Sequence, residues 1–257
     1  MRKLCIAVIL ATAACERQEP VAFDGASARQ ASARIAHGKR LTDVLGCTGC
    51  HGANLQGKRF YELYASNLRR ELPKYSDAQF ERLMRAGEHP TGREVWGMPS
   101  ELFQHLSEPD IQAVLAYLRT LKPAGKPTEP RLPWEPEAEK MIAEGKLKPA
   151  ADFVREAKEL GPVDLGQPHA QGRYITRVTC AECHGPELNG GGNSPDLIVA
   201  GAYSREEFEG LLTQGVPTGG RKLKLMELVA KGRFAKLTRR ERDALYAYLK
   251  ARAEPPQ

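Results

Sequence analysis

Long apolar runs, spare cysteines and aromatic side chains are all scarce in this 257-residue chain. Its one apolar stretch, Leu4 to Ala11, falls short of the roughly 20 residues that cross a bilayer, and nothing later comes closer. Of six cysteines, Cys5 and Cys15 stand near the start and the other four form two close pairs, so none is left for a structural disulfide. Aromatics make up 7% of the residues, beside 24 Gly and 18 Pro, a composition that leaves small domains short of apolar bulk unless a bound group supplies it. The formal charge of +6 is spread among acidic residues with no basic run, which argues against a nucleic-acid partner.

What is present is a repeated pentapeptide. Cys47-Thr-Gly-Cys50-His51 and Cys180-Ala-Glu-Cys183-His184 place two thiols where they add across the vinyl groups of a heme, with the adjacent imidazole aimed at the iron. A zinc site is a poor alternative, because the pairs lie 133 residues apart and each carries its own histidine. No βαβ pattern surrounds either pair, which disfavours a thioredoxin-like dithiol.

The surroundings repeat as well. A helical approach precedes each motif, over 38–46 and 172–179. Downstream, Tyr75-Ser76 to Gly87 is matched by Tyr203-Ser204 to Gly215, with Ser76 and Ser204 as N-caps, Gln79 and Glu207 as capping-box partners and the glycines as stops. Then come Pro90 to Met98 and Pro217 to Met226, each with an arginine, Arg93 or Arg221, five residues before the methionine. A closing helix follows Leu106-Ser107 and Leu237-Thr238. Two lobes of about 90 residues are therefore expected, over 31–122 and 166–257. Between them, 123–165 reads as a Pro-rich spacer and a helical stretch that either braces the lobes or stays solvated.

Residues 1–15 read as an export signal: a basic start at Arg2 and Lys3, the short apolar run, then small residues. Cys15 after Thr12-Ala13-Ala14 resembles a lipoprotein cleavage box, with ordinary cleavage after Ala13 as the alternative; 16–30 would then be a flexible tether. A periplasmic protein follows, with membrane contact through a lipid at Cys15 in the first case.

Taken in order, these elements resemble the class I cytochrome c domain, twice, as in exported diheme cytochromes c. The resemblance implies an all-α fold of two helical domains, each wrapped round a covalently bound heme c, and iron ligation by His51 with Met98 and by His184 with Met226. It implies a proline carbonyl accepting the proton of each proximal imidazole; Pro195 fits that slot, whereas the first half has Ser66-Asn67-Leu68. Arg93, Trp96 and Arg221 are candidates for holding heme propionates. Met84 and Met141 read as core or linker residues, and His37, His89, His105 and His169 as surface or loop residues, with His89 near enough to Met98 to compete for the first iron. Two six-coordinate hemes suit one-electron relay between a donor and an acceptor protein. The alternatives are a diheme enzyme of the peroxidase or thiosulfate-oxidising type, which needs an open or labile distal position, and a cytochrome subunit of a dehydrogenase or oxidase complex. The unequal contexts of the two histidines and methionines predict unequal potentials.

Overall fold

The computed structural model describes residues 20–60 and 62–254, so the expected export signal and Cys15 lie outside the described residues. The first lobe opens with α1 (Ala31–Val44), and α2 (Cys47–His51) carries the first motif. A two-stranded antiparallel hairpin, β1 (Lys58–Phe60) and β2 (Leu63–Ala65), is a small departure from the all-helical expectation. Four helices complete the lobe: α3 (Leu68–Glu71), α4 (Asp77–Ala86), α5 (Ser100–Phe103) and α6 (Glu108–Arg119). The connecting segment holds α7 (Pro136–Ala143) and α8 (Ala150–Ala157).

In the second lobe α9 (Ala170–Ile175) continues through a π-helical stretch, Thr176–Cys180, into α10 (Ala181–His184). It ends with α11 (Arg205–Gln214), α12 (Lys224–Gly232) and α13 (Arg239–Arg252). Both capping boxes expected from sequence are formed, Ser76 with Gln79 at α4 and Ser204 with Glu207 at α11. Both helices stop where Gly87 and Gly215 adopt φ of 68° and 72°. A third box, Thr238 with Glu241, starts α13.

Each lobe is built on the crossing of its first and last helices, and a glycine makes each crossing possible. A Cβ on Gly38 would sit 1.8 Å from the Ala113 carbonyl oxygen, and one on Gly172 2.2 Å from that of Ala244. Backbone-to-backbone contact at these points lets Leu41, Val44, Ile111 and Val114 fill one core and Ile175, Leu245 and Tyr248 the other, all at 0–1% exposure. Removing such side chains from water supplies the main stabilisation, about 1.5–3 kcal/mol for each large apolar residue.

The lobes dock through a reciprocal seam. Asp110 in the first turn of α6 and Glu241 in the first turn of α13 are both fully buried. Tyr174 of the second lobe donates its hydroxyl to Asp110 at 2.7 Å, and Arg40 of the first lobe pairs with Glu241 at 2.7 Å. Residues 22–24 enter this seam. Phe23, at 2% exposure, packs edge-on against Tyr174; its amide donates to Asp110 at 3.0 Å and the next amide, of Asp24, to Glu241 at 2.8 Å. This end of the segment expected to be a flexible tether is therefore built into the interface, because its backbone donors satisfy two buried carboxylates. His37, read from sequence as a surface residue, is also buried there and bonds Asp110 through Nε2 at 2.9 Å.

The connecting segment packs rather than floats. Ala124 and Lys126 carbonyls take the Asn67 amide at 2.8 and 2.7 Å, and the Ala150 amide reaches the Val95 carbonyl at 2.7 Å. Farther on, Arg177 of the second lobe donates to the Leu160 carbonyl at 3.0 Å. Of the two readings of 123–165, these contacts favour the brace.

Candidate functional site

The two motifs are followed by the same turn. Leu55 and Leu188 are the described non-glycine residues with positive φ, 55° and 64°, and both are buried at 2% or less. Their amides close onto the carbonyls of Gly52 and Gly185 at 2.8 and 3.0 Å, while the Gly57 and Gly190 amides return to the carbonyls of His51 and His184 at 2.9 and 2.8 Å. A left-handed leucine costs backbone energy and persists only where packing holds it. Here each leucine plugs the base of the turn that presents the histidine. The shared string His-Gly-x-x-Leu-x-Gly, over 51–57 and 184–190, carries the signal for this turn in the sequence.

Each proximal imidazole has its tautomer set by a backbone carbonyl. His184 Nδ1 donates to the Pro195 carbonyl at 2.8 Å, as the resemblance implies. His51 Nδ1 donates to the Ser66 carbonyl at 2.7 Å. The absence of proline in the first half thus removes no acceptor, since the bond is to the main chain and β2 delivers Ser66 to the place. Either way the proton sits on Nδ1 and the lone pair on Nε2, the arrangement an iron ligand needs. Burial lowers the His51 pKa, with the Ser66 bond opposing.

None of the four motif cysteines is joined in a disulfide. Burial pushes Cys47 up to about 12 and Cys180 up to about 11. In the second lobe Cys180, Cys183, His184, Pro195, Arg221 and Met226 line one cavity of about 880 Å³, closed by apolar side chains such as Phe208, Leu212, Leu245 and Leu249. That volume and lining suit a large, flat, mostly apolar cofactor. Met226 lies in the first turn of α12 and is half-buried against the core, as Met98 is in the first lobe. The residues present therefore fit a heme c: thiols for the vinyl groups, a neutral imidazole with its lone pair free, and a thioether in reach of the same cavity in the second lobe.

Other sequence candidates are placed elsewhere. His89 has both ring nitrogens engaged, Nε2 with the Tyr75 hydroxyl at 3.0 Å and Nδ1 with Thr91 at 2.8 Å, so it is no competitor for iron here. Trp96 donates to Glu94 at 3.0 Å and stacks edge-on with Trp134 rather than entering a cavity. Arg93 is exposed. Met84 is core at 1% exposure and Met141 sits at 37% on α7. His105 lines a separate 380 Å³ cleft between the lobes with Glu101, Arg177 and Glu182. Burial brings His105 down to about 4 and raises Glu101 to about 7.

Residues 35–122 match the family described as cytochrome c, and residues 167–249 match that described as cytochrome c oxidase, cbb3-type, subunit III. Over 89 residues the chain is 29% identical to the cbb3-type cytochrome c oxidase subunit CcoP of Helicobacter pylori (strain 52). That match covers 35% of this chain and 28% of the other protein's length. Among the described residues, no helix is long and apolar enough to cross a membrane.

Proposed function

Tandem cytochrome c domains with two covalently bound hemes c make this chain a diheme electron-transfer cytochrome, and from that premise we propose that it relays single electrons between periplasmic redox proteins through two His/Met-ligated irons. The hemes supply the ferric/ferrous couple; the chain's own residues hold them, exclude water and set their potentials. His51 and His184 are the proximal ligands, fixed by the Ser66 and Pro195 carbonyls. Met98 and Met226 are the distal ligands, and thioether sulfur in that place favours the ferrous state relative to a second imidazole. The observation that carries the reading is the pair of identical histidine-presenting turns, each with its Nδ1 proton already committed to a carbonyl.

Likeness of the second lobe to a cbb3-type oxidase subunit points to a terminal oxidase as electron acceptor, with the chain serving as a cytochrome subunit or a close donor. Residues 1–15 act as an export signal in this reading, and lipidation at Cys15 keeps the relay at a membrane surface.

The test is a redox titration of the full heme-loaded chain, followed at the sulfur-to-iron absorption band, with Met98→Ala and Met226→Ala in parallel. Each variant is expected to lose the band of one heme and keep that of the other. Retention of both bands in either variant would overturn the assignment of that methionine.

A further inference from the structure

The two attachment motifs face each other across the lobe interface, and one side chain of the second lobe reaches both. Arg233 follows α12 and is 15% exposed. Its Nε donates to the Val44 carbonyl, three residues before Cys47, at 3.0 Å, and its Nη1 pairs at 2.6 Å with Glu182, inside the second motif. The guanidinium lies so close to the turn before the first motif that a Cβ on Gly46 would come within 2.9 Å of its central carbon. Its Nη2 is buried without a hydrogen-bond partner, and Arg233 lines the second lobe's cavity.

A charge held between the Val44 carbonyl and Glu182 therefore stands beside both motifs.

The arrangement is not duplicated. Phe234 and Leu237 stand where Phe103 and Leu106 stand in the first lobe, so the counterpart of Arg233 is Leu102, a buried apolar residue. Leu102 lines the cleft between the lobes together with Ala181 and Glu182 of the second motif. Of these two symmetry-related places beside the motifs, one therefore carries a cation and the other an apolar side chain.

We propose that Arg233, balanced by Glu182, is a shared electrostatic control that holds up the reduction potentials of both hemes and fixes the separation of the two motifs. Reduction adds one electron at an iron, so a nearby guanidinium favours the reduced state and a nearby carboxylate opposes it. The pair lies in a partly buried seam, where screening by salt is weak. The inference rests on the diheme reading and adds a residue through which the two sites are tuned together.

The experiment measures both midpoint potentials of the full heme-loaded chain in Arg233→Gln, Arg233→Lys and Glu182→Gln. Heme content is first counted from the alkaline pyridine spectrum. Arg233→Gln is expected to lower both potentials, each reduction equilibrium shifting by up to about tenfold, which is about 59 mV for one electron. Glu182→Gln is expected to raise both, and Arg233→Lys, which keeps the charge, to leave them near those of the unchanged chain. Unmoved potentials in both Gln variants, or a shift confined to one heme, would overturn the proposal. Should Arg233→Gln fail to accumulate, Glu182→Gln alone decides it, because Glu182 is exposed enough to be replaced without opening the core. A heme count below two in the unchanged chain would sink the diheme reading instead, so the two failures are distinguishable.

Discussion

Asp110→Ala should loosen the molecule at its seam more than any surface substitution. The carboxylate is fully buried and accepts from four groups: the Phe23 amide at 3.0 Å, the His37 ring at 2.9 Å, the Ser107 hydroxyl at 2.8 Å and the Tyr174 hydroxyl at 2.7 Å. A hydrogen bond to a charged acceptor contributes about 1.5–3 kcal/mol, and a buried donor left alone costs about 1–3 kcal/mol. Adding four such terms overshoots, since neighbours relax and share partners. Stripping one member from a buried charged cluster costs about 3–5 kcal/mol, the expected loss here. The measurement is urea denaturation of the heme-loaded full chain, read at its first transition, with amide exchange at Phe23 as the local probe. Tyr174→Phe supplies the control for cause: it should cost about 1–2 kcal/mol in the unchanged chain and clearly less once Asp110 is alanine, because the hydroxyl has then lost Asp110 and keeps only the Ser107 amide at 3.0 Å. A loss below about 1 kcal/mol, or a Tyr174→Phe effect of equal size in both backgrounds, would refute the view that this carboxylate ties the lobes together.

Glu101 sits partly buried in the interlobe cleft with Oε2 unpartnered, and burial first of all raises its pKa from 4.5 to about 7. A raised carboxyl pKa means the folded state holds the proton longer, so stability falls as pH climbs from about 4.5 through 7. Glu101→Gln should therefore match the unchanged chain near pH 4.5 and gain steadily above it, by up to about 3 kcal/mol past pH 7, in pH-dependent denaturation; a flat difference would contradict the assignment. Gly172→Ala, whose methyl would meet the Ala244 carbonyl oxygen at 2.2 Å, should force α9 from α13 and cost about 3 kcal/mol, measured by thermal unfolding, whereas Gly191→Ala, with open space around it, should cost far less. Cys180→Ser with Cys183→Ser should halve the heme count and leave the second lobe unfolded by circular dichroism, since the 880 Å³ cavity cannot be filled by its own side chains.

The capping boxes at Ser76 and Ser204, the stops at Gly87 and Gly215 and the two motifs were legible because each depends on residues within a few positions of one another. Pro195 was legible for the same reason, and Ser66 was not. A carbonyl acceptor belongs to any residue, and the hairpin that delivers Ser66 shrinks in the second half to a single bridge between Gly191 and Ser194, ahead of Pro195. His37, Phe23 and Arg233 lay beyond reach for a different cause. Their partners are Asp110, Tyr174 and Val44, separated from them by 73 residues or more, and hydrophobic period reports the buried face of one element, not the face two lobes share. Sequence symmetry hid the asymmetry as well: aligning Arg233 with Leu102 looks like an unremarked surface change until both are seen at the motif of the other lobe. The expectation of unequal potentials accordingly loses one of its grounds, the missing proline, because Ser66 supplies the same carbonyl bond.

Two consecutive amides at the start of the described chain, those of Phe23 and Asp24, are committed one to each lobe. In mechanical terms this is a yoke. Any load arriving along the strand from Ala22 is divided between both halves in parallel instead of passing through one to reach the other. Two adjacent donors, one bonded to each lobe, thus couple the halves at a single point of the chain.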